Sequence, residues 1–467
     1  MDSAARFNGP HFVNLRKTVI FDDQMMRISK SGPLTGRIKV PGDKSISHRA
    51  AMLLAISKGS AEITNFATGD DCASTLRCLK ALGVPVSKNG STVQIFGKGK
   101  RGLEEPATPL DCGNSGTTMR LLAGILAGQE FDSLVVGDES LNSRPMGRIA
   151  EPLLEMGADI RLRENRAPIK IMGGACLRPI DYSLPVASAQ VKSCVLIAGL
   201  YTGGPVSVIS PPSELRAPIS RDHTERMLTY LGAEISEEFR EADGEFSHVI
   251  KLSPGSELQA RDIRVPGDIS TAAFFLVAAA GLRGSDITLL DVGLNDTRKG
   301  IVDVMQEIGV RIEVTNKSIS CGEPRGDIRV SWDGDCELIE SNLKISGGRT
   351  AALIDEMPVL AVLGTLLPGG IEVRDASELR VKESDRVDAI VKNLKRMGGA
   401  VEEYEDGFRV SKSNLTAAEI DSRGDHRIAM AFAVAAMFSE GESVINDAGC
   451  VAVSYPDFFE TLNGLVD

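Results

Sequence analysis

Aromatic side chains make up 4% of this 467-residue chain, with a single tryptophan, too few for the stacked platforms that grip single-stranded nucleic acid. Cysteine is present without a pattern. Cys72, Cys78, Cys112, Cys176, Cys194, Cys321, Cys336 and Cys450 contain no CxxC pair and no histidine at ligand spacing, which argues against a disulfide framework and a zinc site. No run approaches the roughly 18 uninterrupted apolar residues of a membrane span. Residues 1–26 carry Arg6, Arg16, Lys17, Asp22 and Asp23 and lack a signal-peptide core. The expectation is a cytoplasmic protein in which 1–26 form an N-terminal extension before a first strand at Arg27-Ile28-Ser29. The formal charge of -12 disfavours nucleic acid and anionic membranes as partners, but it permits a local basic cleft that focuses small anions.

Hydrophobic residues make up 42% of the chain and glycines number 47, so large cores of small aliphatic side chains can form, and the length suits two domains. The organising stretch is Val40-Pro41-Gly42-Asp43-Lys44-Ser45-Ile46-Ser47-His48-Arg49, followed by the apolar run Ala50–Ile56. A Pro-Gly turn, a capping Asp and an apolar run start a helix, and Lys44, Ser45 and Arg49 then sit where free N–H groups and the dipole favour an anion. Taken alone, this reads equally as a capped, solvated helix start.

The pattern recurs. Copies begin at Pro41, Gly113, Ala187, Pro266, Asp355 and Asp425, separated by 72, 74, 79, 89 and 70 residues, a spacing that suits a whole supersecondary unit. Each apolar helix precedes a β-rich stretch, and most of these precede an amphipathic helix ending on Gly. The first helices are apolar nearly all round and should be buried; the second carry a charged face and should lie outside. The first and fourth copies, VPGDKSISHRAA and VPGDISTAAFFL, are the most alike, which suggests two halves of three units. The chain would cross between them near Gly42 and Gly267, turns able to serve as hinges.

The copies differ where chemistry would use the difference. The first has Lys44, Ser45 and Arg49; the second Asn114, Ser115, Gly116, Thr117, Thr118 and Arg120; the third Ser188, Gln190 and Lys192; the fifth Asp355-Glu356; the sixth Asp425-His426-Arg427. The fourth has lost its cations. Convergent helix starts would make a donor-rich cleft with very few anions, Asp355 among them. Arg144 in Ser143-Arg144-Pro145 and the stretch Val381-Lys382-Glu383-Ser384-Asp385-Arg386 add cations, the latter expected as a helix start with Lys382 and Arg386 at i,i+4. A Glu383 flanked by Lys and Arg should stay ionised at rest.

With PGDKSISHRA, GNSGTTMRLL, SRPMGR, SAQVKS, SRDHTERM, VKESDR and DHRIAM in this order, the chain resembles the EPSP synthase family of enolpyruvyl transferases over about residues 27 to 467. The resemblance implies an α/β, two-domain inside-out barrel of six βαβαββ units, three per domain, helices inside and sheets outside. Residues 43–264 would form the shikimate 3-phosphate side, and 27–42 plus 265–467 the catalytic acid/base side. It implies transfer of the enolpyruvyl group of phosphoenolpyruvate to the 5-hydroxyl of shikimate 3-phosphate, with no metal or organic cofactor, by a monomer. It assigns Lys44, Ser45, Arg49, Ser188, Gln190, Arg221, Asp355 and Lys382 to shikimate 3-phosphate. Lys44, Asn114, Gly116, Arg144, Gln190, Arg386 and Arg427 fall to phosphoenolpyruvate, and Asp355, Glu383 and Lys44 to catalysis.

Three departures matter. Ala189 stands where many members have a second Ser, so Lys192 or Arg221 is expected to replace a phosphate contact. Val453 stands where many carry a Lys. Gly116, in place of Ala, leaves room and implies sensitivity to glyphosate. The sister reading is UDP-N-acetylglucosamine enolpyruvyl transfer, which typically uses a loop Cys; Cys112 lacks an activating cation. A third is a catalytically dead repeat scaffold. Of the histidines, His11 and His248 are expected at the surface, while His48, His223 and His426 are expected to orient neighbours.

Overall fold

The structure is a computed structural model, and it describes residues 19–22, 25–214, 216–218, 220–255, 257–332 and 342–466. Cys336 and His11 lie outside them.

Six apolar helices, Lys44–Ala55, Gly116–Leu126, Ala189–Gly199, Ile269–Gly281, Met357–Gly364 and His426–Phe438, start where the six copies place them. Five are capped by their own polar starts. Asp43 accepts from the Ile46 amide at 2.9 Å, Ser115 from Thr118 at 3.2 Å, Ser188 from Val191 at 3.4 Å, Asp268 from Ser270 at 2.8 Å and Asp425 from Arg427 at 2.9 Å. Each cap satisfies one amide that the helix cannot. Because these helices are apolar on every side, they bury almost completely and pack on one another in two groups. One apolar core draws on residues 46–265 and the other on 26–40 and 269–465.

Among the described residues, six four-stranded sheets cover the helices. In the second unit, Leu110–Asp111 lies parallel to Ser133–Val136 across an inner helix, and the hairpin Asp159–Arg163/Arg166–Met172 completes the sheet antiparallel. The outer amphipathic helices, such as Asp70–Ala81 and Arg386–Arg396, keep one face in solvent. Gly83 and Gly398 follow two of them at φ +78°, the left-handed conformation that ends a helix.

The first and fourth units exchange their first strands. Thr35–Ile38 joins the sheet of Asp286–Gly293, and Ile263–Arg264 joins that of Lys58–Thr64. Between these strands and their helices the two Pro-Gly turns meet: the Asp43 amide donates to Pro266 O at 2.8 Å and the Asp268 amide to Pro41 O at 2.9 Å. The sixth sheet is completed from the other end of the chain, by Val19–Asp22 and Met25–Ser29. The expected extension over 1–26 is thus corrected: Val19–Asp22 is strand, and the first strand reading at Arg27–Ser29 begins two residues earlier, at Met25. The reason is that the outer edge of Glu442–Asn446, paired on its other side with Glu419–Asp421, takes Met25–Ser29 as its antiparallel partner.

At the crossing, Gly42 is required by closeness. A Cβ there would stand 1.7 Å from the backbone oxygen of Asn65. Gly42→Ala is expected to cost about 3 kcal/mol or more in urea unfolding, whereas Gly32→Ala, with nothing within 4 Å, should be near neutral.

Candidate active site

The N-terminal ends of the inner helices converge on a cavity of about 380 Å³ between the two cores. Its wall includes Lys44, Ser45, Arg49, Gly116, Arg144, Ser188, Gln190, Arg221, Asp355, Lys382, Glu383, Arg386 and Arg427. Every residue that the resemblance assigns to a substrate or to catalysis therefore lines it except Asn114. Asn114 stands behind, its amide donating to Asp138 at 2.8 Å and its Oδ1 accepting from Arg144 Nη2 at 2.5 Å; it acts on the cleft by aiming Arg144.

Arg49 is immobilised: Nε donates to Thr224 Oγ1 at 2.7 Å, Nη1 to the Ser45 carbonyl at 2.9 Å and Nη2 to Ser193 Oγ at 2.8 Å. Gln190 bridges Arg120 at 2.6 Å and Thr117 at 3.0 Å. Lys44 reaches Asp71 Oδ2 at 2.9 Å. Burial lowers the Lys44 pKa, but Asp71 and Glu383 outweigh burial and Arg427 and raise it, so the ammonium stays charged.

Two carboxylates face these donors from the second core. Glu383 lies 2.6 Å from Arg386 Nη2 and 3.5 Å from Arg144 Nη1. Asp355 pairs with Arg221 at 2.5 Å, Arg386 at 3.5 Å and Arg427 at 3.6 Å. Burial pushes both carboxyls up, yet Arg386, Arg144 and Lys44 around Glu383, and Arg427, Arg221, Lys382 and Arg386 around Asp355, hold them well below the usual range. Both are ionised without ligand. Any anion that occupies these arginines takes away the charge that depresses the carboxyls and shifts both upward. Arg386 is itself held by Asp425 at 2.8 Å, so it cannot swing away.

The expected scarcity of anions is corrected: ten Lys/Arg side chains share the wall with six Asp/Glu, namely Asp71, Asp268, Asp355, Asp375, Glu378 and Glu383. Most arrive on outer helices and loops that the comparison of helix starts does not reach. The wall also takes in Arg120, Arg148 and Arg298. Arg120 stands within GNSGTTMR and Arg148, which meets Glu378 at 2.9 Å across the cleft mouth, within SRPMGR, signals that were legible; Arg298 carries none. Lys192 does not replace the phosphate contact missing at Ala189, since it is buried against Glu225 at 2.5 Å and lies outside the wall. Arg221 is in the wall. Val453 lies outside it, its carbonyl packed on Gly69 of the other core. Lys382 and Glu383 are not helical: Asp385 caps the helix Arg386–Arg396 by accepting from Asp388 N–H at 3.0 Å, which ends it short of them. His248 is 2% exposed, stacked on Phe239 and hydrogen-bonded to Glu237, contrary to the surface position expected. His48 and His426 are buried, and burial with the nearby Lys44 pushes both pKa values well down, so they stay neutral.

The sequence profile of a family described as EPSP synthase (3-phosphoshikimate 1-carboxyvinyltransferase) matches residues 28–462. The 3-phosphoshikimate 1-carboxyvinyltransferase of Solibacter usitatus is 47% identical over 442 residues, covering 94% of this chain and 99% of its own. That of Geobacillus kaustophilus is 47% identical over 438 residues, covering 93% and 98%. A solved EPSP synthase from Acinetobacter baumannii superposes with a TM-score of 0.80 at 39% identity, covering 95% of this chain and 98% of its own.

Proposed function

The chain belongs to the EPSP synthase family, and on that premise we propose that its cleft transfers the enolpyruvyl group of phosphoenolpyruvate to the 5-hydroxyl of shikimate 3-phosphate, releasing phosphate. The observation that carries this reading is the pair of half-buried carboxylates, Asp355 and Glu383, each set among arginines at the cleft wall.

The two substrates bring two phosphates and two carboxylates, whose mutual repulsion must be cancelled before carbon and oxygen can meet. Ser45, Arg49, Ser188, Gln190, Arg221 and Lys382 hold shikimate 3-phosphate; Lys44, Arg144, Arg386, Arg427, Gln190 and the Gly116 backbone hold phosphoenolpyruvate, with Asn114 steadying Arg144. Asp355 takes the proton of the 5-hydroxyl as its oxygen attacks C2. Glu383, made a stronger base by substrate occupation of Arg386 and Arg144, passes a proton to C3, and Lys44 balances the charge. The product of this addition is a tetrahedral ketal with a methyl group. Return of one methyl proton to the Glu383 carboxylate, with departure of phosphate carrying the proton held by Asp355, restores the double bond. Residues 43–264 and 27–42 plus 265–467 are the two bodies that close, the chain works as a monomer, and the free thiols fit a cytoplasmic setting.

Turnover in D2O tests the addition–elimination. Deuterium should enter the methylene of the product; a product free of deuterium would exclude a methyl intermediate. The UDP-sugar reading is disfavoured by Cys112, whose contact with Cys78 and whose burial push its thiol well up, away from a reactive thiolate.

Gly116 sets inhibitor fit. A Cβ there would stand 2.8 Å from Arg120 Nη1 and 3.6 Å from Arg144 Nη1, so glyphosate is expected to inhibit the natural protein in competition with phosphoenolpyruvate, and Gly116→Ala to raise its inhibition constant about tenfold or more, read from steady-state phosphate release. The loss of one good guanidinium contact, about 1.5 kcal/mol, sets that scale.

A further inference from the structure

The proposed chemistry leaves Arg298 unused, although it lines the cleft and is 2% exposed. Its guanidinium joins both crossings. Nη1 lies 3.5 Å from Asp43 Oδ2 and 3.4 Å from His223 Nε2; Nη2 lies 3.5 Å from Asp268 Oδ1 and donates to Ser270 Oγ at 2.7 Å. Asp43 and Asp268 cap the two inner helices that begin at the Pro-Gly turns. Asp268 Oδ2 also accepts from the backbone N–H of Lys44 at 3.3 Å.

From Ser270 the network continues to the buried Glu356, the residue after Asp355. On the opposite side, His223 Nδ1 lies 2.7 Å from Glu323 Oε1. A carboxylate there and a guanidinium at Nε2 assign the tautomer: Nδ1 donates and Nε2 offers its lone pair to Arg298. Asp222, next to His223, accepts from Asn295 at 2.7 Å. One planar fork therefore touches the caps of both helices, one from each core, and reaches towards the flanks of Lys44 and Asp355. A point-charge ammonium cannot serve both directions at once.

We propose that Arg298 is a positioning residue whose fork sets the angle between the two crossing turns and thereby holds Lys44 and Asp355 in register across the cleft. The inference rests on the roles given to those two residues above. Arg298→Lys keeps a charge among Asp43, Asp268 and Glu356 but loses the fork, so the fold and substrate binding should survive, with dissociation constants within about fivefold. Its kcat should fall about 100-fold, the scale of an ångström of misplacement. Shikimate 3-phosphate is expected to compact the natural protein, as small-angle scattering would read it, and in the variant that compaction should shrink or vanish. Asp268→Asn, which removes the charge opposite one arm, should shift the same two readouts in the same direction, and it carries the test if the lysine variant does not fold.

An active natural protein together with a variant whose kcat is within twofold and whose compaction is unchanged would overturn the inference alone. So would a variant that melts earlier yet turns over normally below its melting point, since that marks a purely structural arginine. A natural protein without turnover would overturn the functional reading, and this inference with it.

Discussion

Lys44→Met should bind shikimate 3-phosphate within about tenfold of the natural affinity and lose roughly 100- to 1000-fold in kcat, the usual cost of removing one preorganised charge from a reacting centre. The acceptor side keeps Arg49, Ser188, Gln190 and Arg221, whose placement does not pass through the Lys44 ammonium. What disappears is the cation between Asp71 and Glu383. Asp71 is then left partly buried without its partner, which adds a stability cost; melting curves separate this from the kinetic loss, and Lys44→Met combined with Asp71→Asn should restore stability without restoring kcat. Near-normal turnover in Lys44→Met would remove Lys44 from the mechanism.

Glu383→Gln should lower kcat by about 100- to 10,000-fold, the range for a positioned acid–base group, without raising KM for phosphoenolpyruvate. The second half of that expectation separates catalysis from binding, because the amide no longer competes for Arg144 and Arg386. The pH behaviour follows from the same contacts. In the free protein the arginines keep the Glu383 carboxyl below its ordinary range; with both substrates bound it should titrate higher. As a proton donor it must be protonated when it acts, so its contribution is present below that raised pKa and is lost as pH rises through it. The alkaline limb of kcat assigned to Glu383 should be absent from the residual activity of Glu383→Gln. An unchanged alkaline limb would assign the proton to another group.

The sixfold architecture was legible because its cause is local. A Gly- or Asp-marked turn, a polar cap and an all-apolar helix recur, and each inner helix starts where that pattern puts it. The crossing of the chain near Gly42 and Gly267 was legible in the two like Pro-Gly turns, but the strand pairing it produces was not: Ile263–Arg264 is two residues long and carries no period from which a partner can be read. The hairpin that completes the sixth sheet pairs Met25–Ser29 with Glu442–Asn446, a contact between the two ends of the chain that no window spans. In the cleft, the cations at helix starts were readable because position and charge coincide. Asp71 and Glu378 were hidden, since nothing in their neighbourhood tells a solvated acid from one turned towards a lysine or an arginine. Lys192 misled for the same reason, its partner Glu225 lying 33 residues on, in the outer helix His223–Tyr230 of the same unit.

The central claim is that one cleft, charge-matched by six unlike helix starts, joins phosphoenolpyruvate to shikimate 3-phosphate. Phosphate release from phosphoenolpyruvate tests it most directly, measured with shikimate 3-phosphate and, in parallel, with UDP-N-acetylglucosamine. The account predicts steady release with the first acceptor, accompanied by an equal amount of enolpyruvyl product, and none with the second. Release with the UDP sugar, or no release with either, would contradict it.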